Sequence, residues 1–184
     1  MVAQFQQLFE SKSQSDIVIQ VKAKKFDAHK LVLGTRSPVF LALFQSNLAE
    51  TQTNTLKIRG IKPTVFKEVL RFMYTDQVEQ LDELAEELLA AAERYMLDLL
   101  KEKCVTHLAG TITVENCAEK LQFADLHSAA GLKTIVLDFF RCRAAEVAET
   151  SSWQQLTKSA NSDLLREGII TICTICTIYW WTHH

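Results

Sequence analysis

Two prolines and five glycines in 184 residues exclude a Pro- or Gly-rich linker. No apolar run reaches the roughly 18 residues that a membrane-spanning helix requires. The N-terminus, MVAQFQQLFESK, lacks a basic segment followed by an apolar one, so no secretory signal is visible. Neither charge sign dominates: 20 Lys and Arg stand against 22 Asp and Glu, a net charge of −2. That balance gives no general affinity for nucleic acid or acidic membranes. The five cysteines, Cys104, Cys117, Cys142, Cys173 and Cys176, are odd in number, and three fall within helical patterns. A reducing compartment, nucleus or cytoplasm, fits them better than a disulfide framework. There is no short-period repeat, Gly-rich phosphate loop, Ser-His-Asp arrangement or aromatic-basic stripe.

What is present is ordinary globular sequence, 48% apolar and 23% charged, long enough for one core or for one domain and an appendage. The densest stretch is Ser15 to Phe44, SDIVIQVKAKKFDAHKLVLGTRSPVFLALF. Ile17, Ile19 and Val21 alternate with Val18, Gln20 and Lys22, the pattern of a half-buried strand. Residues 24–28 read as its hairpin partner, with Phe26 and Ala28 facing the core, and 30–34 as a short helix. Ser37-Pro38 opens the next helix, serine as N-cap and proline in the first turn. Val39, Phe40, Leu43 and Phe44 are its apolar stripe. Ahead of the hairpin, Met1, Phe5, Leu8 and Phe9 share one helical face. Ten residues do not hold a helix alone in water, so that face needs something to lie on.

A third strand is expected at 55–59. Helices follow at 62–75, 81–96, 99–108 and 114–126, the last capped by Thr113, with a helix or helix pair over 128–147. The order is α+β first and all-α afterwards. Asp82, Glu83, Glu86 and Glu87 read as a solvated helix face that complements the dipole, not as an acid–base pair. His29 reads as a core histidine satisfied by backbone hydrogen bonds. Cys173 and Cys176 form a CxxC with His183 and His184 behind it. The spacing to a second ligand pair is missing, so no metal is assigned. No catalytic residue, cofactor or small-molecule substrate is assigned either.

The words SDIVIQV, AHKLVL, RSPVF, PTVFKEVLRFMYT, LLAAAERY, LKEKC, TITVENCAE, ADLHSAAGLKT and ETSSW resemble the BTB/POZ family, in particular its speckle-type POZ protein and MATH-BTB branch. The resemblance runs in order over about residues 4–157 and fails after about Leu165. It implies a BTB/POZ domain over 1–109, a BACK-like helical extension over 110–157 and an unrelated, poorly ordered tail over 158–184. It also implies that Met1 falls inside the helix that follows a MATH domain in relatives, so no substrate-reading segment is expected here.

The resemblance further implies sites. Phe5, Leu8 and Val32 correspond to the family's dimer surface, with Asp16 and Lys30 as a charged pair beside it. The alternative is that Phe5 and Leu8 pack on their own domain. Leu48-Ala49-Glu50 matches the hydrophobic-x-Glu motif by which the family engages the third cullin paralogue, and Tyr95 lies either on that surface or in the core. The expected function is a non-enzymatic dimeric adaptor, a homodimer or a heterodimer with related BTB proteins, that binds a cullin scaffold in a ubiquitin ligase. The alternative is a dimerising regulator that blocks full-length relatives. Transcriptional control ranks lower, because no DNA-binding segment is present.

Overall fold

The structure is a computed structural model, and it describes residues 2–46 and 54–158. Its contacts divide the chain into two compact units, Met1–Cys104 and Val105–His184. The division falls inside the helix Asp98–Ala109.

The first unit opens with α1 (Val2–Ser11), followed by β1 (Ile17–Val21) and β2 (Lys24–Ala28). Two helices follow, α2 (Lys30–Arg36) and α3 (Pro38–Gln45), then β3 (Thr55–Ile58). Two more follow, α4 (Pro63–Thr75) and α5 (Leu81–Tyr95), and then α6 (Asp98–Ala109), the helix in which the division falls. The sheet order is β2-β1-β3. β1 runs antiparallel to β2, with Ile17 opposite Ala28 and Ile19 opposite Phe26, and parallel to β3, with Ile19 opposite Leu56. The alternation in β1 works as read: Ile17, Ile19 and Val21 are buried and the residues between them are not. The parallel pairing of β1 with β3 requires a long crossover, supplied through α2 and α3. Beneath lie Phe66, Val69, Leu70 and Met73 of α4 and Leu88, Leu89 and Ala92 of α5, all buried.

Ser37 is the pivot between α2 and α3. Its backbone is extended, its N–H closes α2 on Leu33 O, and its Oγ accepts from Phe40 N–H at 3.3 Å. The same hydroxyl donates to Tyr95 O at 2.6 Å, satisfying a carbonyl that the end of α5 would leave without a partner. Ser37 is fully buried, and both roles of its hydroxyl are filled.

The second unit continues with α7 (Cys117–Leu126), α8 (Ala130–Cys142), α9 (Ala144–Ala148) and α10 (Ser151–Lys158). α7 begins three residues later than its apolar pattern predicts. Thr113 Oγ1 accepts from Asn116 N–H while Asn116 Oδ1 accepts from Thr113 N–H, so the reciprocal box closes a turn ahead of the helix. Trp153 packs on Phe140 with ring centroids 4.7 Å apart, and both are buried with Leu132, Val136 and Leu156. Thr150 Oγ1 accepts from Trp153 N–H and caps α10. Burial pushes the Cys117 thiol up to about 11 and, in the first unit, the Cys104 thiol up to about 12, so neither is a nucleophile at neutral pH.

No helix among the described residues is long and apolar enough to cross a membrane. The CxxC, the two terminal histidines and nearly all of the tail lie outside the described residues. Among the described residues, no group of three His, Cys, Asp or Glu side chains is placed to hold a metal ion.

Candidate functional site

α1 lies along α4, where the Phe9 ring meets Tyr74 with centroids 5.5 Å apart and Arg71 sits 5.4 Å over the Phe9 ring. Arg71 is itself held by buried Glu68 at 3.3 Å and by Glu79 at 2.7 Å. This anchorage leaves the other side of α1 uncovered. Between α1 and α2 an apolar groove of about 400 Å³ is lined by Phe5, Leu31, Val32, Met73 and Tyr74. Leu31 is 80% exposed and Phe5 38%. At the rim Arg36 pairs with Asp76, the left-handed C-cap of α4, and lies 5.6 Å over the Phe72 ring. Two exposed side chains this large on one concave face are what a protein partner covers.

The residues read from the sequence as the dimer surface meet this groove in part. Phe5 and Val32 line it, although Val32 is nearly buried at 9% exposed; Leu8 is half-buried and does not line it. Leu31, whose exposure marks the groove, was missed. It sits in an apolar run, LVL, whose neighbours Val32 and Leu33 are both buried, so no pattern separated it from the core.

Asp16 and Lys30 are not a side-chain ion pair. Asp16 is exposed, and its carboxylate accepts from the Lys30 backbone N–H at 2.8 Å, capping α2 from outside the helix. The Lys30 ammonium instead donates to Asn54 Oδ1 at 2.7 Å. The backbone N–H at the start of α2 thus serves the exposed Asp16 carboxylate in place of a charged side chain. His29 is half-buried rather than core, and only one of its ring partners is backbone, Ser13 O; the other is the Tyr74 hydroxyl.

A second apolar groove, of about 410 Å³, is lined by Pro38, Val39, Ala42, Leu43, Ser46 and Met96. Of the α3 apolar stripe, only Phe40 is buried; Val39 and Leu43 are half-buried and line this groove. Met96 is 60% exposed and sits at φ +53°, ψ +54°, the left-handed cap of α5. Glycine is the residue that fits this conformation without strain. A methionine there exposes an apolar side chain at a backbone cost. The motif residues Leu48 and Glu50 lie outside the described residues, two and four positions after Ser46 in sequence.

Tyr95 belongs to neither groove. It is 2% exposed, stacked on Phe40 at 5.1 Å and edge-on to Phe66 at 6.3 Å. Its assignment to a partner-binding surface is therefore corrected to the core. The period of α5 places it with Leu88, Ala91 and Ala92, which are also buried. Burial raises the Tyr95 pKa, opposed by nearby Arg94, and its hydroxyl has no hydrogen-bond partner among the described residues. Tyr95→Phe is accordingly expected to leave stability unchanged or raise it by up to ~1 kcal/mol, because an unsatisfied buried hydroxyl is removed. A thermal melt checks it, and a clear loss would mean that the hydroxyl has a partner.

A small three-stranded sheet wrapped in helices and bearing exposed apolar grooves defines a protein-interaction module. The BTB/POZ domain family matches residues 5–112, and the chain belongs to that family. The chain is 39% identical over 176 residues to the mouse (Mus musculus) TD and POZ domain-containing protein 4, covering 95% of this chain and 47% of that protein. It thus spans about half the length of that relative. The BTB domain of zebrafish PATZ1 is similar in structure, with a TM-score of 0.52 at 25% identity, over 60% of this chain and 90% of that one. The α+β BTB fold is thereby established. Proteins of this family dimerise and mediate protein–protein interactions, in general as non-enzymatic scaffolds or adaptors.

Proposed function

We propose that this chain is a non-enzymatic dimeric adaptor that binds a cullin within a ubiquitin-ligase assembly, with ubiquitin transfer carried out by its partners. The observation that carries the reading is the second groove. It is open and apolar, it is rimmed by an exposed methionine held in an unfavourable backbone conformation, and Ser46 on its wall leads in sequence into Leu48-Ala49-Glu50. An amphipathic helix of a partner fills such a groove with a few apolar anchors. In this reading Leu48 adds a further apolar anchor and Glu50 a polar contact at the rim.

Calorimetry with the N-terminal domain of the third cullin paralogue tests it. Leu48→Asp should weaken binding by more than an order of magnitude, since losing a buried anchor costs ~2 kcal/mol or more. Glu50→Ala should cost less, because a rim charge stays partly solvated. Met96→Gly separates binding from folding. It should raise the melting temperature, as the left-handed cap is relaxed, while binding falls about tenfold through loss of an apolar contact. No heat from the unmutated chain, where a full-length relative binds, would sink the adaptor reading.

A second reading rests on the first groove alone. In it the chain is a dimerising regulator that pairs with related BTB proteins through Phe5 and Leu31 and limits their action. A silent calorimetry trace together with an intact dimer would favour it.

A further inference from the structure

His29 stands between β2 and α2, and three of its nitrogens reach partners. Nε2 lies 2.8 Å from Ser13 O, just past the end of α1. Nδ1 lies 2.7 Å from the Tyr74 hydroxyl, and the His29 backbone N–H donates to the same oxygen at 3.0 Å. A carbonyl only accepts, so Nε2 carries the ring proton and Nδ1 of the neutral ring is an acceptor. Burial pushes the Tyr74 phenol up to about 12, an effect eased by the His29 N–H and reinforced by the Asp16 carboxylate. Tyr74 therefore keeps its single proton and donates it to Nδ1. The circuit is closed: Tyr74 O–H to Nδ1, Nε2–H to Ser13 O, His29 N–H to the Tyr74 oxygen. Only a neutral imidazole completes it.

Both ends of this circuit bear on the apolar groove between α1 and α2. Tyr74 lines the groove and packs on Phe9 of α1, while Ser13 follows the helix that carries Phe5. We propose that His29 is a proton-operated latch on the self-association surface: protonating its ring at Nδ1 breaks the bond it accepts from the Tyr74 hydroxyl, disturbs Tyr74 where it lines the groove and packs on α1, and weakens the dimer. The inference rests on the reading of that groove as the dimer surface.

Imidazole is the side chain that gains charge between pH 8 and pH 5. A second ring proton, on Nδ1, points at the Tyr74 oxygen, which already takes the His29 N–H. The phenolic proton must then turn away, and Tyr74, at 7% exposed, loses its acceptor. The charged groups on the elements around His29 are each hydrogen-bonded or ion-paired to partners other than its ring, although the Asp16 charge is felt at Tyr74. Asp16, ahead of β1, takes the Lys30 N–H, and the Lys30 ammonium of α2 is on Asn54. Asp27 of β2 pairs with Lys12, past α1, at 3.9 Å, and Arg71 of α4 is held by Glu68 and Glu79. The neutral ring is the form that fits, so the dimer is strongest with the ring neutral and weakens when the ring gains its second proton.

Sedimentation equilibrium of the full chain at about pH 7.5 and about pH 5.5 tests the latch. The dimer Kd should rise roughly tenfold at the lower pH, the scale of one buried hydroxyl left without its partner. His29→Gln and Tyr74→Phe should each remove the pH dependence. Should either variant fold poorly, 15N NMR of the unmutated imidazole supplies an independent reading: the Nε2–H tautomer at neutral pH, titrating at the same midpoint as the Kd. A dimer of constant Kd, a pH dependence that survives in a folded variant, or an Nδ1–H tautomer overturns the latch alone. A monomer at both pH values overturns the dimer reading and the latch with it.

Discussion

Leu31→Asp is expected to give a folded monomer. Leu31 is 80% exposed on the first groove, so the single chain loses almost no core packing when its side chain changes. In a two-fold dimer the same residue is used twice, once from each protomer, and a carboxylate placed there is buried without a partner on both sides. Leaving a charge unpaired at an interface commonly costs several kcal/mol, enough to raise the dimer Kd by more than a hundredfold. Analytical ultracentrifugation should report a monomer while the melting temperature of the chain measured at low concentration stays close to that of the unmutated protein. An unchanged dimer would remove this groove from consideration and move self-association to another face. Phe5→Asp should act in the same direction and more weakly, because Phe5 presents less of its side chain to the groove, 38% exposed against 80% for Leu31.

Phe40→Ala should come close to unfolding the first unit. Phe40 is fully buried, stacked on Tyr95 at 5.1 Å and in contact with the Phe44 ring at 5.9 Å, and its N–H is bonded to Ser37 Oγ. Deleting such a ring removes its transfer free energy and leaves a cavity, together ~3–5 kcal/mol. That is a large part of the 5–15 kcal/mol typical of a domain. For a domain of roughly 100 residues, the melting temperature should fall by on the order of 15 °C. A thermal melt followed by circular dichroism reads it directly. A fall of less than about 5 °C would show that α3 is not seated on α5 through this stack. The consequence would reach the second groove, since Val39, Leu43 and Met96 are held at its walls by the same helix pair.

Elements that depend on near neighbours were legible before any fold was known. The period-two pattern of Ile17, Ile19 and Val21 needs only the pleat, and those three residues are buried as it requires. Ser37-Pro38 needs only the chemistry of a helix start, and the serine caps α3 as expected. The start of α7 was misplaced because Thr113 and Asn116 satisfy each other in a turn before the helix, which a cap residue alone does not reveal.

The binding surfaces were legible only in part, for one physical reason. An apolar side chain looks the same in a sequence whether it is covered or waiting to be covered. Leu31 and Leu33 are one residue apart from Val32 on either side, yet one is 80% exposed and the other fully buried. Phe40 and Leu43 share one helical stripe, and only the first is core. Tyr95 could have faced a partner, but the way α5 packs on α3 turned it inward and left Met96, one residue later and in a left-handed turn, as the exposed group. The sequence by itself determined the class of fold and the order of elements, because propensity, capping and periodicity act over a few residues; the family was implied by resemblance to known sequences. Tertiary structure alone decided which apolar residues stay uncovered, where Asp16 finds its hydrogen bond, and that His29, Tyr74 and Ser13 meet, because those outcomes depend on contacts between residues tens of positions apart.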